Sequence, residues 1–172
     1  MRVAVTGTPG TGKTTAVELA ETDPDVVHLN DLVRSAGLTA GHDDERDSAV
    51  ADLEAVTDRL DGREDLLVES HLAHHLPADR VVVLRCHPET VEKRLRDRGE
   101  SAASAAENAE AEALDVVLTE AVEAHGEGAV YEIETTDATP AETASAIEAV
   151  VAGERDPAVG TVSYLDYLGP QR

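Results

Sequence analysis

Residues 7 to 14 read Gly-Thr-Pro-Gly-Thr-Gly-Lys-Thr. They match G-x-x-x-x-G-K-[ST] at every fixed position. The glycines let the backbone curl so that successive N–H groups point inward, a concavity suited to the oxygens of a polyphosphate. Lys13 would reach the outer phosphates, and the Thr14 hydroxyl would ligate Mg²⁺ directly. The flanks fit this reading. "RVAVT" (2–6) predicts a strand and "KTTAVELAE" (13–21) a helix, whose N-terminal end adds positive potential. A loop of this kind specifies what is held. It leaves open whether a phosphoryl group passes to a second molecule or to water.

Other residues bear on that choice. Arg34, in "HLNDLVR" after the second predicted strand, is placed either to hold a second phosphate or to sit at the surface. Arg94, Arg96 and Arg98 lie in "KRLRDRG"; Arg94 and Arg98, four apart, share a helix face. So basic a cluster in so acidic a chain suggests a lid aimed at phosphates, against the plainer reading of cations at a helix C-terminus. Glu69 ends the third predicted strand in "VESH", where open α/β sheets place ligands. It would hold Mg²⁺ through water, and His71 would orient a water or a phosphate. The i, i+4 spacing of His71 and His75 raises zinc, but Pro77 follows and no helical pattern supports it, so a metal reading is set aside. His28, His87 and His125 read as polar or capping residues.

These groups need a scaffold. "VVHLN" (26–30), "LLVES" (66–70), "RVVVLRC" (80–86) and "AVYEIET" (129–135) predict four more strands. The continuous apolar runs of "LLVES" and "RVVVLRC" suit strands buried on both faces. Residues 31–62 read as mostly helical. Helices are also expected from Pro88 to Gly99, from about Ala106 to Ala124, and after Thr139, where Glu142 completes a capping box. Alternating strand and helix predict an α/β fold with a parallel sheet covered on both faces. The last 20 residues hold Tyr164 and Tyr167 and are expected to dock on the domain or on a partner.

The composition bounds the remainder. A chain of 172 residues that is 41% hydrophobic suits one domain. No apolar run approaches the roughly 20 residues of a membrane span. The N-terminus reads as strand rather than signal peptide. Cys86 is the only cysteine, so neither an internal disulfide nor a cysteine-based metal site is expected, and a cytoplasmic protein is the natural reading. The formal net charge of -22 is spread along the chain, only Lys13 and Lys93 are lysines, and Phe and Trp are absent. Adaptation to a salt-filled cytoplasm is favoured over disorder or a dedicated basic partner, since salt screens the self-repulsion.

Taken in order, "GTPGTGKTT", "HLNDLVR", "DERDS", "VESHLAHHLP", "VVVLRCHPETVEKRLRDRG" and "ENAEAEALDVVLTEA" resemble the adenylate kinase isoenzyme 6 type, a family of small archaeal and eukaryotic P-loop nucleoside monophosphate kinases, here with the composition of an extreme halophile. The resemblance covers about residues 1–150. It implies a three-layer P-loop NTPase fold with a five-stranded parallel sheet in the order 2-3-1-4-5. It also implies a single domain over 1–172, with a monophosphate-binding insertion at about 30–53 and a lid at about 97–108. By position, Gly10, Gly12, Lys13, Thr14, Thr15 and Arg98 would bind ATP, Arg34 would meet the monophosphate, and Arg94 and Arg98 would act from the lid side. Lys13, Glu69, His71 and Arg98 form the implied catalytic set, with Mg²⁺ as cofactor. Two departures stand out. Glu69 occupies a position where eukaryotic relatives carry aspartate, and Ala102, Ala103 and Ser104 stand where relatives often carry lysines. The implied reaction is ATP plus AMP giving two ADP. The implied alternatives are an ATPase that assists small-ribosomal-subunit maturation through ribosomal protein number eleven, and a small-molecule kinase. Neither a membrane nor DNA is an implied partner.

Overall fold

The computed structural model describes residues 1–43 and 48–169. In chain order its elements are β1 (Arg2–Thr6), α1 (Lys13–Leu19), β2 (Asp25–His28), α2 (Leu29–Ala36), β3 (Thr39–Asp43), β4 (Ser48–Ala51), α3 (Leu53–Leu60), β5 (Leu66–Glu69), β6 (Arg80–Arg85), α4 (Pro88–Asp97), α5 (Ala102–Ala113), α6 (Val116–His125), β7 (Val130–Glu134) and α7 (Pro140–Ala152). Short 3₁₀ turns occupy Ala73–His75, Glu127–Ala129 and Leu165–Leu168.

β2, β5, β1, β6 and β7 lie side by side in that order, all parallel. With the separate β3–β4 hairpin set aside, this is the expected 2-3-1-4-5 order. Successive strand residues point to opposite faces, and the core divides accordingly. Ala4, Leu66, Val68, Val81 and Val83 pack with Val33 of α2, Val56 and Leu60 of α3, and Leu118 and Ala121 of α6. Val3, Val5, Leu67, Val82 and Leu84 pack on the opposite face with Ala16 and Val17 of α1 and Ile147 and Val150 of α7. The chain has no Phe or Trp, and Val, Leu and Ala fill both layers.

Two expectations on helices are corrected. Residues 31–62 are not continuously helical: the antiparallel hairpin of β3 and β4 separates α2 from α3. Asp44, Glu45, Arg46 and Asp47 of the "DERDS" motif lie outside the described residues. The helix expected over about 106–124 is two helices, broken at Asp115, whose φ is 57°. That left-handed conformation is unfavourable for a residue with a Cβ. It persists because the Asp115 carboxylate accepts from Arg85 Nη2 at 2.5 Å. The capping box at Thr139 and Glu142 is present.

The C-terminal segment docks on its own chain. Ala158 bridges Tyr131 in parallel, extending the sheet beyond β7. Thr161 donates from its amide and hydroxyl to Glu132 Oε2 at 2.6 and 2.8 Å. The Tyr164 hydroxyl donates to Glu134 at 2.7 Å.

Candidate active site

β1 and β5 end side by side, with Val5 paired to Glu69. The Gly7–Thr14 loop follows β1 and leads into α1. Gly7 has φ 141°, and a Cβ there would lie 2.5 Å from the Leu84 carbonyl oxygen. Gly12 takes the left-handed φ of 94° at the start of α1. Both positions require glycine, the first for space and the second for backbone geometry.

Lys13 is buried, and its ammonium donates to the carbonyls of Gly7 at 2.8 Å and Thr8 at 3.0 Å. An ammonium has three donors, so one remains for a ligand in this arrangement. Burial pulls its pKa down to about 8, against the opposing pull of Glu69 and Glu112. Glu69 is held between two partners: Oε1 accepts from the Thr14 hydroxyl at 3.2 Å, and Oε2 lies 2.9 Å from His28 Nδ1. A hydroxyl and a carboxylate this close form a hard-oxygen pair of the kind that shares Mg²⁺ with waters and phosphates.

Lys13, Thr14, Thr15, Glu69, His71 and Arg98 line one cleft of about 130 Å³, together with Gly10, Gly12, Pro9 and Asn30. Burial, and then the neighbouring Lys13 charge, push the His71 pKa down to about 4, so the imidazole is neutral at pH 7. A second cleft of about 220 Å³ opens beside the first and shares Gly12, Thr15 and Arg98 with it. It is also lined by Arg94, Thr135 and Ala138. A larger, acid-lined cleft near Met1 and Glu148 contains none of these residues.

The predicted arginines divide. Arg98 caps the C-terminus of α4 and borders both clefts. Arg94 is half-buried and donates to the Gly10 carbonyl at 3.1 Å, bracing the loop from beneath. Arg96 points away and lies 3.8 Å from Glu92. Arg34 lies in the last turn of α2, exposed and 3.9 Å from Asp31, and borders neither cleft.

The histidine cluster also divides. His71 faces the cleft, while His74 and His75 turn toward Glu120 of α6. His87 caps α4 as expected. His28 does more than cap: the register that pairs it with Glu69 on the neighbouring strand puts its ring on that carboxylate. Only the strand register could have revealed this.

A buried ionic network escaped the sequence reading. Arg85 donates to Glu112 at 2.8 Å and to Glu132 at 2.6 Å. Glu112, on α5, also accepts from the Thr8 hydroxyl of the loop at 2.5 Å and from the Cys86 amide at 3.1 Å. The network therefore ties the phosphate loop to α5 at one end and to the C-terminal segment at the other, through Glu132 and Thr161.

Comparison with known proteins accords with this geometry. The chain matches the AAA domain family over residues 3–115. It is 67% identical over 168 residues to a protein of Natronomonas pharaonis named "Putative adenylate kinase", spanning 98% of this chain and 100% of that one. A Halobacterium salinarum protein of the same name is 60% identical over 169 residues, at 98% and 100% coverage. One from Methanosarcina acetivorans is 41% identical over 163 residues, at 88% and 86%. Among solved structures, shikimate kinase from Acinetobacter baumannii in complex with shikimate superposes with a TM-score of 0.62 at 20% identity. It covers 90% of this chain and 94% of its own, so it shares the fold.

Proposed function

The chain belongs to the AAA domain family and to the group of archaeal proteins that share the adenylate kinase name, and we propose that it transfers the γ-phosphoryl group of ATP to AMP, giving two ADP. Other nucleoside monophosphates are accepted as alternative acceptors. The observation that carries this reading is the convergence of Lys13, Thr14, Glu69 and Arg98 on one cleft at the mouth of the loop.

In this reading Gly10, Gly12, Thr14 and Thr15 hold the ATP phosphates with loop and helix N–H groups. Lys13 gives its remaining N–H to a phosphate oxygen, and the anion restores the proton affinity that burial removes. The Thr14 hydroxyl and, through water, Glu69 would hold Mg²⁺, which would supply charge neutralisation. The neighbouring cleft of Thr135 and Ala138 takes the adenosine end, with Arg94 and Arg98 on its wall. Arg98 spans both clefts and neutralises charge on the group in flight. The acceptor phosphate is already anionic and needs no general base, so catalysis consists of positioning and electrostatics. The residues from about 30 to 53 form the monophosphate-binding insertion, and Arg34 turns inward from α2 when the acceptor binds. The segment from about 97 to 108 is the lid, hinged after Arg98, and its closure excludes water.

A second reading, hydrolysis of ATP during ribosome maturation with ribosomal protein number eleven as partner, is favoured by His71. A neutral imidazole beside Lys13 and Glu69 is equipped to accept a hydrogen bond from an attacking water. Assays with Mg²⁺ in molar KCl separate the two readings. AMP-dependent ADP formation supports transfer. AMP-independent phosphate release, altered by the ribosomal protein, supports the assembly role. Lys13→Ala is expected to abolish both activities, and retained turnover would overturn the nucleotide assignment.

A further inference from the structure

Beneath the active site, the 3₁₀ turn Ala73–His75 presents two consecutive histidines to α6. Their rings stand 4.0 Å apart, tilted by 42°. Nε2 of His74 lies 3.0 Å from Glu120 Oε2, and Nε2 of His75 lies 3.9 Å from the same oxygen. All three ligand atoms fall within 4.8 Å of one another. Donors about 2.0–2.1 Å from a tetrahedral ion stand roughly 3.3 Å apart, so small side-chain shifts would bring these atoms to ligating distance.

We propose that His74, His75 and Glu120 form a site for a borderline divalent cation of the zinc class, separate from the Mg²⁺ of the phosphate loop. Two imidazoles and one carboxylate select zinc, cobalt or nickel over magnesium, which prefers oxygen alone. The surroundings have the form of a metal-supporting shell. His74 Nδ1 lies 2.8 Å from the Thr6 hydroxyl, which is itself 3.3 Å from the His71 carbonyl. With Nδ1–H donating to Thr6 and Thr6 donating to His71, the Nε2 lone pair faces the Glu120 carboxylate. Two acceptors then oppose each other, and a cation between them completes both. Without the ion, the proton sits on Nε2 and Thr6 donates to Nδ1. Binding therefore shifts the ring proton from Nε2 to Nδ1, and the metal takes the Nε2 lone pair. His125 Nε2 donates to the His74 carbonyl at 2.7 Å and fixes the turn.

Access and placement also fit. His74 is 1% exposed, whereas His75 and Glu120 are 37% and 45% exposed. The ion enters from solvent onto a buried anchor and keeps a position for water. Once bound, it ties α6 to the segment carrying His71, and through Thr6 to the last residue of β1 before the phosphate loop.

The test uses the full chain in molar KCl with excess Mg²⁺, which suppresses general binding to the acidic surface. Cobalt(II) is titrated and its visible d–d absorption is followed, and zinc is added in a parallel thermal melt. The expected result is saturation at one equivalent with the intense bands of a low-coordinate site, together with an upward melting shift in zinc. His75→Ala and Glu120→Gln, both at exposed positions that should leave folding intact, should each weaken cobalt binding at least about tenfold and remove the zinc shift. Wild-type protein without the bands, or bands equally strong in both variants, would overturn the site.

Discussion

Lys13 is costly to the empty protein. Its charge is buried, and only two loop carbonyls receive it, with Glu69 and Glu112 nearby. The unfolded chain binds the Lys13 proton more tightly than the folded one, so the stability attributable to this group rises between pH of about 8 and its ordinary value, and falls as pH drops through about 8. Lys13→Met is therefore expected to raise the ligand-free melting temperature by about 2–4 °C, while lowering kcat/KM at least about a thousandfold. A variant that is inactive and also less stable would show that the amine supports the loop. His71 has the same sign: its folded pKa of about 4 means stability is lost as pH falls from its ordinary value of 6.5 toward 4. His71→Ala is expected to reduce ATP hydrolysis at least about tenfold and AMP phosphorylation much less. Equal losses in both assays would remove its water-orienting role. At this scale the gathering of Lys13, Thr14, Glu69 and His71 around one cleft was legible from motif and strand position. The His28 contact with Glu69 was hidden because it depends on the register between β2 and β5.

At the level of elements, the link between α5 and the phosphate loop matters most. Glu112 touches Thr8, Arg85 and the Cys86 amide from inside the fold. Glu112→Gln removes one charge of a buried network, and about 3 kcal/mol of destabilisation is expected in chemical denaturation. Thr8→Val removes a single hydroxyl contact. It should raise the KM for ATP about fivefold, as expected for the loss of about 1 kcal/mol, with kcat nearly unchanged; an unchanged KM would show that α5 and the loop act separately. In the sequence, Glu112 and Glu132 look like two more surface acids in an acid-rich chain, and only Arg85, brought in from another strand, makes them interior residues. The break at Asp115 has the same distant cause, because the apolar spacing runs on through it. The β3–β4 hairpin was missed for a local reason: "TAGHD" and "SAVA" lack the strongly alternating apolar pattern by which a strand announces itself. β1, β5 and β6, largely apolar runs buried on both faces, were readable for the opposite reason, whereas β2 is an edge strand that leaves Val26 exposed.

The whole molecule carries a net charge of -22 around a core of small aliphatic side chains. Self-repulsion on this scale opposes the compact state and is relieved by screening within about 10 Å at 0.1 M salt and about 3 Å at 1 M. Helical circular dichroism and melting temperature are therefore expected to rise steeply with KCl and to collapse in dilute buffer. Undiminished structure at low salt would remove salt adaptation as the reason for the acidic surface. Among the described residues no helix is long and apolar enough to cross a membrane. The central claim concerns where the γ-phosphoryl group goes, and following a label on it tests that claim most directly. With γ-labelled ATP, AMP and Mg²⁺ in molar KCl, the label is predicted to appear in the β-phosphate of newly formed ADP, in step with AMP consumed. Label released only as inorganic phosphate, at a rate indifferent to AMP, would contradict it.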